Sequence, residues 1–338
     1  MIRRRRPVVT AVLAAVACAT LVAAQSSSQE AAPKPHPGRA HTTPRTPWGD
    51  PDLQGIWSNA TPTPLERPSQ FSGKAQLSDE EAAQIGEEQA KVRSTDNTPK
   101  AGDPGTYNET WWERGKLLKQ TALVVDPADG KIPALTPQAE QAARARQAAL
   151  NGRGPSDSWE DRNLHERCIL YHGVPPLPTG YNNNYQILQT RNYVAILHEM
   201  IHEIRIIPLD GRPHVGPNIR QWMGDSRGHW DGDTLVVDTT NFNPAAGGLY
   251  ELARTNLRGT GETLHVVERF TRKGNDIDYR FTVEDPKTFT RPWSGSIPMS
   301  VVEGPIFEYA CHEGNYAMAD MLRGARTTEK AEASKHSK

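Results

Sequence analysis

Two runs of alternating residues joined by a short turn constrain the fold of this chain more than any other feature. Residues 277–284 place apolar side chains at every second position, residues 264–271 do so except at Glu268, and the turn sequence KGND lies between the two runs. A period of two puts those side chains on one face of a strand, so the runs predict a β-hairpin. A β-branched run at 234–239 follows a second turn, DGD at 231–233. Strands at this spacing predict an antiparallel barrel or sandwich.

The first half of the chain carries helix signals instead. Ser78 followed by Glu81 forms a capping box, and Thr136-Pro137 places proline at the first position of a second helix. We therefore predict a mainly β fold, with one antiparallel barrel-like domain over residues 46–325 that begins with an irregular helical section. Residues 326–338 are predicted to be a disordered tail.

The N-terminus has the composition of an export signal. Four arginines precede a short apolar stretch that ends in VAA, which fits a signal-peptidase site and predicts a signal peptide over residues 1–24. Residues 25–45 are predicted to be a flexible linker, and Cys18 leaves lipidation open as an alternative. The predicted location is the periplasm or the exterior of the cell. No later segment approaches the ~20 apolar residues of a spanning helix, and a net charge of -1 gives no case for nucleic acid.

Two cysteines, Cys168 and Cys311, remain after the predicted cleavage. Two cysteines in an oxidising compartment most often pair, so we predict a disulfide between them. The alternative is a metal site that they share with His172 and His312, whose spacing supports it less well.

The segment from His198 to His202 spells HExxH. On a helix, its two imidazoles would face the same way and hold a zinc ion, with Glu199 as general base. The surroundings favour a strand, because residues 193–207 are rich in Val and Ile and no capping box precedes them. The third ligand is also missing: Pro208 stands where one class of zinc protease has it, and prolines and glycines break residues 208–233. We predict a strand over 193–207 and no cofactor, with zinc bound by His198 and His202 as the alternative.

Several longer motifs resemble a family of exported bacterial proteins. They are PDLQGIW at 51–57, RIIPLDGRPH at 205–214, GDTLVVD at 232–238, LHVVERF at 264–270 and CHEGNY at 311–316. The resemblance covers about residues 46–325 and implies no particular activity. It implies that Glu199 and Arg205 belong to the family pattern and that the two histidines of HExxH do not. The strand pattern also resembles the calycin or lipocalin style of barrel, which is an analogy of fold alone.

Polar side chains on the predicted strands and turns are the candidate site. His265 and Arg269 share one strand face, and Asp238 lies on a neighbouring strand. If this face lines a barrel cavity, the three groups converge on a ligand; otherwise they lie on the solvated outside.

The turn at 210–214 is a second candidate. His214 could act as a general acid or base oriented by Asp210, or Asp210 could simply bond the backbone of its own turn. Glu199 is a further catalytic candidate. The candidate ligand contacts, of which the aromatic ones could equally be core residues, are Arg205, Arg212, Tyr181, Tyr185, Trp222, Trp230 and His312.

These observations predict an exported protein that binds a small or saccharide-like molecule in a barrel cavity. A metal-independent acid–base lyase or hydrolase is the preferred function. A non-catalytic, lipocalin-like binding protein and a zinc hydrolase that uses HExxH stay open as alternatives. The sequence contains no nucleophile elbow and predicts no oligomeric state.

Overall fold

The computed structural model describes residues 43–93, 113, 115–149, 151–244 and 263–336. The predicted signal peptide, Cys18 and nearly all of the predicted linker lie outside these residues. His41–Lys338 forms one compact unit. Within the described residues, no helix is long and apolar enough to cross a membrane.

Eleven strands form one sheet and three α-helices accompany it in the part of the chain that is described. The strands are β1 (Gly55–Ser58), β2 (Val124–Asp126), β3 (Asn184–Gln189), β4 (Tyr193–His198), β5 (Ile204–Pro208), β6 (Asp225–Asp231), β7 (Thr234–Thr240), β8 (His265–Lys273), β9 (Asp276–Glu284), β10 (Trp293–Ser296) and β11 (Met299–Val301). The helices are α1 (Asp79–Arg93), α2 (Pro137–Ala149) and α3 (Ala317–His336).

The sheet is antiparallel and nearly closes into a barrel. Its strands lie in the order β5-β4-β3-β1-β11-β9-β8-β7-β6, while β2 and β10 pair beside β9. The two end strands, β5 and β6, come into contact without a ladder of hydrogen bonds, and we call this junction the seam. This arrangement confirms the predicted mainly β, calycin-like barrel with few helices.

Large side chains fill the interior of the barrel. Those with less than 2% of their surface exposed include Trp57, Tyr185, Phe270, Tyr279 and Phe281. Burying each aromatic ring contributes about 2–3 kcal/mol relative to leaving it in water. Aromatic side chains thus occupy the interior of the barrel, where an open lumen would otherwise lie.

Glycine lets the two end strands meet. A Cβ added to Gly228 of β6 would lie 2.8 Å from side-chain atoms of both Ile207 and Leu209, a separation that real Cβ atoms do not adopt. The seam is thus tightly packed at this point, and any larger residue at 228 would push β5 and β6 apart.

The PDLQGIW motif has a structural explanation. Leu53 and Trp57 are fully buried, and the Trp57 indole N–H donates to the Leu53 carbonyl at 2.9 Å. The guanidinium of Arg272, on β8, lies 5.3 Å from the centre of the Trp57 ring, within the range of a cation–π contact. The motif therefore anchors β1 within the barrel.

The predicted helix starts are confirmed. Ser78 and Glu81 form the reciprocal capping hydrogen bonds before α1, at 3.2 and 2.8 Å. Thr136 caps α2 through the Ala139 N–H at 3.1 Å. The predicted disordered tail at 326–338 is wrong for most of its length, since α3 continues to His336. Its Ala, Lys and Glu residues are good helix formers, and Arg326 forms an ion pair with Glu329 one turn on.

The HExxH segment lies in a β-hairpin. The prediction of β structure over 193–207 is therefore correct, but the segment forms two strands and a turn instead of one strand. Strand β4 ends at His198, a 3₁₀ turn covers Met200–His202, and β5 returns antiparallel to β4 with Leu197 opposite Ile204. Ile201 and His202 adopt left-handed backbone angles, with φ of 62° and 48°. A β-branched residue rarely takes this conformation, so the pattern did not indicate a turn.

Candidate functional site

A cleft of about 420 Å³ opens beside the packed part of the seam. One wall is Glu203–Ile206 at the start of β5, and the other is Arg220–Ser226, which leads into β6. The lining therefore combines two arginines, two carboxyl groups and a hydroxyl with the side chains of Trp222 and two isoleucines. The accessible lining is more polar than apolar, so a molecule bound here would be held mainly by hydrogen bonds and charge.

Arg205 holds the inner end of the cleft. Its side chain is 2% exposed, and its terminal nitrogens bond both carboxylate oxygens of Glu268, at 3.1 and 2.5 Å. Tyr279 donates to the same carboxylate at 2.9 Å, and Ser226 accepts from Arg205 at 3.2 Å. The Nε of Arg205 is buried and bonds to no residue that the structure describes. A buried donor without an acceptor costs about 1–3 kcal/mol, and the same burial shields this N–H from a molecule in the cleft.

Glu203 places a titratable carboxyl in the same cleft. Burial raises the pKa of Glu203 to about 7, and the positive charge of Arg205 only partly opposes this shift. The group can therefore hold or release a proton near neutral pH. Neither the zinc motif nor the strand pattern singled out Glu203 as a site residue.

His214 is held between two carboxylates on the outside of the barrel. Its Nδ1 lies 2.9 Å from Asp225 and its Nε2 lies 2.9 Å from Asp238, so both ring nitrogens are occupied. Asp225 also accepts from Arg227 at 2.7 Å and lines the cleft. His214 thus fastens the loop between β5 and β6 to the barrel wall. This geometry leaves no ring nitrogen free to exchange a proton with a ligand.

His265 shares the carboxylate of Asp238. Its Nε2 lies 2.9 Å from Asp238 and its Nδ1 lies 3.3 Å from Glu284. The hydrogen bond with Asp238 raises the pKa of His265, and its counterpart lowers the pKa of Asp238. We call His214, Asp225, Asp238, His265 and Glu284 the outer cluster.

The polar face of β8, which carries His265 and Arg269, is the outer face of the barrel. On β8 the side chains of Val266, Glu268 and Phe270 point inward and are at most 1% exposed, which leaves His265 and Arg269 outside. His265 and Asp238 do meet, as predicted. Arg269 does not join them, because it pairs with Asp231 at the exposed end of the strand at 2.7 Å. The alternation was correctly predicted, and of the two interpretations left open for its polar side, the solvated outside is the one that the structure shows.

Asp210 does not orient His214, so that prediction is wrong. The Asp210 carboxylate accepts from the backbone N–H of Arg212 at 3.2 Å and from the Arg212 guanidinium. This contact lowers the pKa of Asp210. Asp210 and Arg212 stabilise their own exposed turn, which is the alternative that composition left open.

Glu199 and the polar run at 181–185 have structural roles. Glu199 lies in the β4–β5 turn, and its carboxylate accepts from the Asn184 side chain at 2.8 Å. Asn183 is fully buried and bonds Glu113, while the Tyr185 hydroxyl lies 2.6 Å from Nδ1 of the buried His172. The backbone carbonyl of Tyr181 accepts a hydrogen bond from the Thr179 hydroxyl at 2.8 Å. The predicted binding loop is therefore an anchor of β3.

The remaining candidates are dispersed. Trp222 lines the cleft, whereas Trp230 packs against the core and its buried indole nitrogen bonds none of the described residues. His312 is exposed beside the disulfide between Cys168 and Cys311, which the structure contains as predicted.

The two histidines of HExxH lie in different environments. His198 is 2% exposed on β4, and burial lowers its pKa well below the usual value. His202 is exposed in the turn, and its Nδ1 bonds the Tyr309 carbonyl at 2.9 Å. The helix required by the zinc alternative is absent from this segment. Among the described residues, no group of three or more His, Cys, Asp or Glu side chains is arranged to hold a metal ion.

No family model, curated protein or solved structure matches this chain. The fold and the cleft therefore define it only as a barrel-like antiparallel protein with a polar cleft at its seam, an architecture compatible with ligand binding.

Proposed function

We propose that this chain is an exported barrel protein that binds a small organic molecule in the seam cleft. The observation that carries the proposal is the joint presence of Glu203, Arg220 and Trp222 in the lining of a cleft of about 420 Å³. A ligand with acceptor oxygens would accept a hydrogen bond from protonated Glu203, and an apolar part of it would pack against Trp222. The leader sequence supports export, and so does the disulfide.

Binding has more support here than catalysis by the outer cluster. Both ring nitrogens of His214 and of His265 face carboxylates, and the cleft is lined by neither residue. The predicted resemblance to exported bacterial proteins fits this proposal and adds no activity to it.

Saturation-transfer NMR with a panel of small molecules tests the proposal. The panel contains benzoate, butyrate, benzyl alcohol and methyl glucoside, so that carboxylates, a neutral ring and a sugar are compared. We expect bound members to lose at least about tenfold in affinity in Trp222→Ala, which removes a cleft wall worth ~1.4 kcal/mol or more.

Trp159→Ala is the matched control, because Trp159 is 52% exposed and lies outside the cleft lining. It should leave binding unchanged. The proposal fails if no panel member binds, or if Trp222→Ala binds as well as the wild type.

A further inference from the structure

Glu203 brings a carboxyl group into the seam cleft whose hydrogen-bonding capacity the protein does not use. The residue lines the cleft just before β5 and is partly exposed, and its backbone carbonyl accepts from the His198 N–H at 2.9 Å. Burial and the charge of Arg205 shift the pKa of the carboxyl group, and no hydrogen bond from a described residue contributes to that shift. A molecule in the cleft can therefore bond this group.

Hydroxyl groups suit this carboxyl better than charged groups do. Because burial raises the pKa of Glu203 to about 7, both protonation states are present near neutral pH. The protonated form donates a hydrogen bond, whereas the ionised form only accepts. A hydroxyl both donates and accepts, so it bonds Glu203 in either state. An anion is repelled by the ionised form, and a cation loses most of its attraction to the protonated form.

The opposite wall of the cleft supplies further donors and acceptors. Arg220 is partly exposed, and its Nη1 donates to the Phe242 carbonyl at 3.2 Å, which anchors the guanidinium in this wall. Gln221 is exposed, and its backbone N–H donates to the Asn241 carbonyl at 3.0 Å. The wall is thus fixed through the backbone, while the Gln221 side-chain amide offers donors and an acceptor to a ligand.

The charges of the lining do not favour an ionic ligand. Asp225 is 5% exposed, and its carboxylate is bonded by Arg227 and His214 at 2.7 and 2.9 Å. Arg205 is buried and paired with Glu268. Glu203 and Arg220, the remaining charged residues of the lining, carry opposite signs. The cleft therefore favours a neutral molecule with several hydrogen-bonding groups.

Trp222 adds an aromatic surface to this polar lining. It is partly exposed in the cleft and packs against the core with the rest of its side chain. A saturated ring with hydroxyls at its edge has C–H groups on its faces, so it can pack on the indole while its edge bonds polar groups. The cleft volume of about 420 Å³ lies within the usual range for small-molecule sites.

We propose that the ligand of the seam cleft is a neutral polyhydroxylated ring of the saccharide class, whose hydroxyls bond Glu203, Arg220 and Gln221 and whose ring packs on Trp222. This inference rests on the proposed function and names the ligand class of the same site. Since a hydroxyl bonds both forms of Glu203, the affinity for such a ligand should change little with pH.

Ligand-detected NMR titrations of the full chain with matched six-membered rings test this inference. Methyl glucoside and myo-inositol are the neutral polyols, cyclohexanol has one hydroxyl, cyclohexanecarboxylate is the anion and cyclohexylammonium the cation. We expect a polyol to bind at least about tenfold more tightly than the other three rings. Its affinity should agree within about threefold at pH values of about 6 and 8, whereas cyclohexanecarboxylate should weaken as Glu203 ionises.

Two substitutions of Glu203 separate hydrogen bonding from charge. Glu203→Gln keeps a donor and an acceptor, so polyol affinity should stay within about threefold, whereas Glu203→Leu removes both and should weaken it at least about tenfold. Glu303→Leu is the matched control, because Glu303 is exposed and lies outside the lining, and it should change nothing. Circular dichroism checks that the variants fold. Gln221→Ala, at an exposed position, should independently weaken polyol binding about fivefold.

The possible failures separate the two proposals. If the anionic or the cationic ring binds most tightly and weakens in Trp222→Ala, the seam site stands and the polyol class is wrong. Polyols that bind equally well to Trp222→Ala and to Glu203→Leu lie elsewhere on the protein, which overturns the inference together with the seam site. If neither polyol binds, the inference is wrong, whether or not another ring binds.

Discussion

Glu203 and Arg205 differ in the number of partners that offset the cost of burying their charges. Arg205 faces the barrel interior, where Glu268, Tyr279 and Ser226 surround its guanidinium. Glu203 sits at the mouth of the cleft, where burial acts on a carboxyl group that only Arg205 stabilises. The arginine therefore stays charged, with its terminal nitrogens bonded to Glu268 and Ser226, whereas the carboxyl of Glu203 changes protonation near neutral pH.

Replacing Glu203 with glutamine should stabilise the fold more at high pH than at low pH. The pKa of about 7 in the folded protein exceeds the ordinary value of 4.5 for this carboxyl group. Stability from the protonated group is thus fully present below about pH 4.5 and is lost as the pH rises through about 7. Urea midpoints at about pH 5 and about pH 8 measure the effect. Glu303→Gln, at an exposed position, serves as control. A variant-minus-wild-type difference that does not grow with pH would contradict the assignment.

Sequence could place Arg205 but not its partner. Alternation puts Glu203, Arg205 and Ile207 on one side of the chain, so a buried charge was within reach of prediction. Its counter-ion, Glu268, lies 63 positions away on β8, a strand that is not adjacent to β5 in the sheet. The strand order and the register of the whole sheet decide which charged residues meet inside a barrel. The residue pattern of a single strand gives no information about either.

At the scale of elements, the outer cluster joins a loop to two strands. Asp238 on β7 bridges His265 on β8 and His214 in the β5–β6 loop, and Asp225 at the start of β6 holds the other side of His214. The loop that the cluster fastens leads directly into Arg220–Ser226, which forms one wall of the cleft. The cluster thus positions the site without lining it.

His265→Gln should remove a pH-dependent part of the stability. The raised folded pKa means that the contribution of His265 is fully present below its unfolded pKa of about 6.5 and is lost as the pH rises through the folded value. Glutamine can still donate to Asp238 but does not titrate in this range. We expect the wild type to exceed the variant in urea midpoint at about pH 5.5 and to lose that advantage by about pH 8.5. A constant difference between the two proteins would show that His265 does not titrate with folding.

A hairpin whose turn contains typical turn residues could be predicted from the sequence. The β4–β5 hairpin, whose turn lacks them, could not. The β8–β9 hairpin was predicted because a Gly-containing turn separates two alternating runs. The β4–β5 turn contains Ile201 and His202 in left-handed angles, and neither is a turn-forming residue type. The contacts that hold this turn come from elsewhere: Asn184 bonds Glu199, and Tyr309 bonds His202.

At the scale of the whole molecule, the disulfide connects the middle of the chain with its C-terminal part. Cys168 precedes β3, and Cys311 follows β11, a separation of 143 positions. Arg326 on α3 also bonds the backbone of Ser156 and Asp157 near the same place. These contacts hold the C-terminal segment against the loop that leads into the barrel.

Removing the disulfide should destabilise the protein by about 2–5 kcal/mol, because the unfolded chain regains the freedom of a long loop. The double variant Cys168→Ala/Cys311→Ala measures the loss in urea titrations. A reducing agent should lower the stability of the wild type to that of the double variant and leave the stability of the double variant unchanged. Equal stability of oxidised wild type and variant would contradict the prediction.

The near-closure of the barrel also bears on how the protein behaves when it is concentrated. An open sheet of this width would present two bare edges whose N–H and C=O groups can recruit strands from other molecules and start aggregation. Here the packing of Gly228 against Ile207 and Leu209 turns these edges toward each other. The contact between β5 and β6 thus leaves less of these two edges open to strands of other molecules.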